Sequence, residues 1–138
     1  MKRLGGIALA TAVLIVASLA GCSSTPDEVT QYVKQASAAE QSAAVGGRLH
    51  REGKALGPET STLFQDAMKE LTSADQSLAQ LQATGSGATL QHRGLTAVRK
   101  AIDVLLAAQR ELQAGEVSSA SVERLRDAAA ALRQLERR

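Results

Sequence analysis

A chain of 138 residues with a formal net charge of +2 has the length of one domain and no electrostatic footprint for nucleic acid. With one Phe, one Tyr and no Trp, it is also poor in the aromatic faces on which sugars and bases stack. A single Cys excludes an intrachain disulfide, so stability has to come from packing.

The first segment has the layout of an export signal. Lys2 and Arg3 form a basic start, Leu4 to Ala20 carry no charge, and Ala17, Ala20 and Gly21 supply small residues at its end. A spanning helix needs about 20 apolar residues; this run is shorter and no basic stop-transfer cluster follows it. Ala17-Ser18-Leu19 fits an ordinary A-x-A-like cleavage site poorly. Leu19-Ala20-Gly21-Cys22, followed by the polar Ser23-Ser24-Thr25, resembles the lipobox of bacterial lipoproteins. That resemblance implies cleavage between Gly21 and Cys22 by signal peptidase II, an S-diacylglycerol on Cys22, and acylation of its new amino group. The chemistry is consistent, because the thiol is the only strong nucleophile nearby. Each buried methylene contributes about 0.8 kcal/mol, and two or more chains hold stably where one does not.

The expected organisation is therefore a signal peptide over 1–21, a lipidated Cys and short tether over 22–26, and a helical domain over 27–138. The processed chain keeps 117 of the 138 residues, enough for a modest core. Losing Lys2 and Arg3 makes its basic and acidic side chains equal in number. Ser23 after the lipobox Cys implies, by the same resemblance, the outer membrane in a two-membrane cell. In a one-membrane cell the address is the outer face of the plasma membrane.

Thr25, Pro26 and Glu28 read as a capping box with proline at the first helical position. The first predicted helix runs from Asp27 to about Arg51, with Val29, Val33, Ala36 and Ala43 at helical spacing and Tyr32 beside them. Its Ala-rich stripe offers little area, so it is expected to dock most weakly, or to stand as a stalk between lipid and bundle. Gly46-Gly47 predicts fraying or a kink, and Gly53 and Gly57-Pro58 end the segment. A second helix starts near Pro58, with Phe64, Ala67, Leu71, Ala74, Leu78 and Leu81 spaced as a heptad seam.

Thr84-Gly85-Ser86-Gly87 predicts a turn. The third helix carries Leu95, Val98, Ile102, Leu105, Ala108 and Leu112, widened by Ala101 and Leu106, with Gly94 as an internal weakness and Gly115 as its stop. Ser118 or Ser119 caps a fourth helix bearing Val122, Leu125, Ala129, Leu132 and Leu135. Strand-like alternation is missing from the pattern, and short connections favour antiparallel neighbours. The predicted fold is an all-α antiparallel bundle of three to four helices.

No catalytic, cofactor or metal site is expected. His50 and His92 have no ligand-type residue at helical spacing and read as solvated helix-end residues. Asp66 and Glu70 stand one turn apart around Lys69, as on a solvated face, and the acidic residues generally read as scattered over polar surfaces. Gly85-Ser86-Gly87 lies between helices and not after a strand. Arg124, Arg126, Arg133, Arg137 and Arg138, offset by Asp127 and Glu136, read as a soluble face or as a contact for anionic lipid or wall polymer.

The function class expected is a non-enzymatic, membrane-anchored docking or scaffold element. It would be held in lipid through Cys22, with a helical protein or a second copy as partner and no nucleic acid. An alternative is a structural cell-wall tether, similar in kind to the murein lipoproteins of enteric bacteria. The turns at Gly57-Pro58 and Gly85–Gly87 depart from their continuous coil, and Arg137-Arg138 stands where they carry a wall-linked Lys. A receptor or enzyme would require a deep pocket with convergent polar groups.

Overall fold

The computed structural model describes residues 25–138. The signal segment, Gly21 and Cys22 lie outside the described residues. Four helices follow one another: α1 (Pro26–Arg51), α2 (Gly57–Gln80), α3 (Gly85–Gln113) and α4 (Ser119–Glu136). Among the described residues there is no strand, and the fold is an up-and-down helical bundle of the predicted class.

The helix starts follow local chemistry. Thr25 Oγ1 accepts the Glu28 N–H at 3.3 Å while Glu28 Oε2 accepts the Thr25 N–H at 2.9 Å, closing the predicted capping box. Glu59 makes half of such a box on α2, accepting the Leu56 N–H at 3.1 Å. Ser118 is the cap of α4, accepting from Ser121 N at 3.1 Å. The end of α2 has no basic side chain in its last turn. Instead Gln91 of α3 donates to the carbonyls of Leu78 and Leu81, at 2.6 and 2.8 Å, satisfying groups the helix end leaves open.

Gly85 turns the chain at φ +57° and Gly115 at φ +122°, where a side chain would be strained. The predicted turn at 84–87 is tighter than expected, because α3 already begins at Gly85. Pro26, the α2–α3 turn and Arg138 share one pole; Arg51 reaches Glu116 and the Val117 carbonyl at the other.

The leucine seams bury as their spacing predicts. Phe64, Leu71, Leu78, Val98, Leu105, Leu125 and Leu132 are fully enclosed, with Leu81, Ile102, Leu112 and Leu135 half-buried around them. Leu106 is the exception among the α3 positions and remains exposed.

The larger correction concerns α1. It is neither a stalk nor weakly docked: it packs against α2, α3 and α4, most extensively against α4 and α2. It also runs unbroken through Gly46 and Gly47. The reason is proximity. A Cβ on Gly47 would meet Val122, Leu125 and Phe64 at 3.4–3.6 Å, and one on Gly46 would meet Leu63 at 3.0 Å. Large side chains from the neighbours fill the space that small residues on α1 leave, and close approach restores the dispersion contacts that Ala and Gly do not provide themselves. Gly94 does the same on α3, where a Cβ would lie 3.0 Å from Val33.

Candidate functional site

Two features of the bundle exceed what a packed core and a soluble surface require. The first is Glu40, on the middle of the buried face of α1. It is fully enclosed, and neither carboxylate oxygen has a hydrogen-bond partner. Its surroundings follow from the heptad register. One heptad earlier Val33 meets Gly94 and Leu78; one heptad later Gly47 meets Phe64, Val122 and Leu125. Midway on α2 stands Leu71, and one heptad on from Gly94 and Leu125 stand Ala101 and Leu132, all fully buried apolar residues. Burial without a compensating donor or cation pushes the carboxyl up from an ordinary 4.5 to about 8. Glu40 is therefore protonated at neutral pH, an acid enclosed within the bundle.

Acidic residues were expected on polar faces, and Glu40 is the exception. The signal was available: Glu40 falls in the same helical stripe as Val33, Ala36, Ala43 and Gly47.

The second feature is a groove of about 370 Å³ along the seam of α1 and α4, lined by Gln41, Ala44, Val45, Arg48, Arg126, Ala129, Ala130 and Arg133. A further hollow of about 250 Å³ continues the seam and shares Arg48 and Arg126 with it. Arg126 pairs with Glu123 at 2.8 Å. Among the described residues, neither Arg48 nor Arg133 has a carboxylate within 4.0 Å. Adjoining the groove, and sharing Gln41 and Val45 with it, is a shallow hollow with Ala38 and Ser42, around which Val45 and Leu63 expose apolar surface.

The arginines picked out on α4 do not gather. Arg126 and Arg133 face the groove, Arg124 turns to Ser121 at 3.4 Å, and Arg138 lies at the pole with Pro26 and Arg93. Arg48 of α1, which the sequence reading passed over, completes the groove.

Asp66 and Glu70 are exposed, with Lys69 3.6 Å from Asp66 and Gln35 2.6 Å from Glu70. His50 is half-buried, its Nδ1 3.3 Å from the Ala55 carbonyl, and His92 is exposed. Among the described residues no group of His, Cys, Asp and Glu is placed to hold a metal, and no helix is long and apolar enough to cross a membrane. At the α3–α4 corner Glu111 accepts the Ser118 N–H at 2.8 Å and its hydroxyl at 3.1 Å. These bonds, the backbone one foremost, hold its carboxyl below the usual range.

What fold and site define together is an up-and-down all-α bundle with a buried core acid and a basic seam. Compared with known proteins, the chain matches no family model, no curated protein and no solved structure.

Proposed function

We propose that this chain is a lipid-anchored protein of the bacterial cell envelope whose bundle serves as a non-enzymatic docking or scaffold element. The lipobox-like Leu19–Cys22 supplies the anchor, with signal cleavage before Cys22. The observation that carries the reading is the position of the α1 cap. Thr25 closes the helix only three residues after Cys22, a span of at most about 11 Å. A lipid on Cys22 would therefore hold the Pro26 pole next to the membrane and present the long sides of the helices to partners. Val45 and Leu63 offer an apolar spot on one such side, beside the basic seam. A helical partner or a second copy fits that surface by laying an amphipathic helix across it.

Mass spectrometry of the processed N-terminus tests the anchor, with a thioether diacylglycerol on Cys22 expected. Cys22→Ala should abolish cleavage and lipidation. A variant still trimmed at the same bond, with its product still in the lipid fraction, sinks the proposal. For docking, crosslinking in intact cells should recover a discrete complex that Val45→Asp removes.

A further inference from the structure

We propose that the α1–α4 seam is a binding site for a small phosphate-bearing anion, gripped by Arg48, Arg126 and Arg133. Three guanidinium groups from two helices line one groove, and the single carboxylate paired to any of them is Glu123, at 2.8 Å from Arg126. Glu52 lies one turn beyond Arg48, near enough that Arg48 helps hold its carboxyl low, so the local excess is between one and two positive charges, on a chain whose processed form is neutral as a whole. Elsewhere Arg99 is matched by Asp75 at 2.8 Å and Lys69 by Asp66 at 3.6 Å, and the adjoining hollow, which adds Arg51 to Arg48 and Arg126, also brings in Glu52 and Glu123.

The groove has a structural cause. Ala44, Ala129 and Ala130 stand where a leucine would fill the seam, which leaves about 370 Å³, within the range of small-ligand sites. Every cation lining it is arginine. Guanidinium forks bind the oxygens of phosphate in pairs, whereas ammonium groups act as point charges. Arg126 and Arg133 are two turns apart on α4, about 10 Å, with Arg48 facing them from α1. Gln41 adds an uncharged amide, and the alanine floor with Val45 accepts a short carbon portion.

A headgroup in the supporting membrane is the less suitable source. Gln41 and Arg48 lie 15 and 22 residues along α1 from Pro26, about 22–33 Å from the anchored pole. The occupant is therefore a soluble or polymer-borne phosphate. The site itself does not depend on lipidation of Cys22, so Cys22→Ala should bind equally well, and the two proposals fail separately.

Calorimetric titration of the detergent-solubilised full chain with pyrophosphate tests the site. Saturable binding with one ligand per chain is expected. Arg48→Gln and Arg133→Gln should each weaken it tenfold or more. Ala130→Leu should weaken it similarly while leaving every charge in place, because it fills the groove from an exposed position. Arg110→Gln, on α3 and outside the groove, should change nothing. Lack of saturation at millimolar pyrophosphate overturns the proposal, as does binding that Ala130→Leu leaves intact. Adsorption to phosphatidylglycerol vesicles that pyrophosphate does not compete away, without pyrophosphate binding, also overturns it in favour of a lipid-surface contact.

Discussion

Helices α1 and α2 have 26 and 24 residues and begin with the same proline-led turn, yet they enter the core in opposite ways. α2 buries six residues, among them Phe64, Leu71 and Leu78, on one narrow heptad line. α1 buries ten, nearly all Ala, Gly, Ser or Val, over a face broad enough to meet all three other helices. Apolar area on a helix measures what it can bury, not how closely it is held. A helix of small residues is a poor filler and a good axle, because neighbours can press against its backbone. The cost is about 1 kcal/mol in helix propensity for each internal glycine, and the same face carries Glu40.

The largest test of this contrast is Glu40→Gln. The folded chain keeps a proton on Glu40 up to about pH 8, while the unfolded chain releases it near 4.5. Folding stability contributed by the neutral carboxyl is complete below 4.5 and is lost as pH rises through 8, by about 1.4 kcal/mol per pH unit and about 5 kcal/mol in all. Gln has the same shape and no titration. Urea unfolding at pH 5, 7 and 9 should show parent and variant alike at pH 5 and the variant several kcal/mol more stable at pH 9. Parallel pH profiles would mean that the carboxyl is hydrated, and that the α1 face is looser than the α2 seam.

Two glycine variants sharpen the comparison with smaller effects. Gly94→Ala places a Cβ 3.0 Å from a methyl of Val33, which is fully buried and stiff at χ1. The overpacking should outweigh the gain in helix propensity and destabilise by about 1 kcal/mol. Gly46→Ala makes an equally short contact with Leu63 Cδ1, the far end of a flexible side chain that is 38% exposed. Leu63 can swing aside, so this variant should be neutral or more stable by up to about 1 kcal/mol. Thermal melts of the two give opposite signs if α1 is clamped from the α3 side and open toward solvent beside α2. Equal losses would show a uniformly tight helix.

The bundle class was legible because its signals are local or periodic. The capping box at Thr25 and Glu28 needs four residues, and the seam from Phe64 to Leu78 repeats every three or four. The site was less legible. Arg48 carries no distinguishing local pattern, and it becomes one of three converging cations only because α1 and α4 pack antiparallel. Glu40 could have been noticed by its stripe, but an Ala-rich face gives little contrast between its buried and exposed sides. Gly46, Gly47 and Gly94 looked like weaknesses because propensity counts only the helix itself. In the bundle they are points of contact.

By itself the sequence determined that the described chain is helical, roughly where the helices lie, and most of the leucines that go inside, since each of those depends on residues within a few turns. Tertiary structure decided that the helix poorest in large side chains packs against all three others, that neighbours seal its acid in the core, and that arginines from two helices face one groove. These outcomes depend on which surfaces approach each other. That choice is set by the fit of small against large side chains across helices distant in sequence.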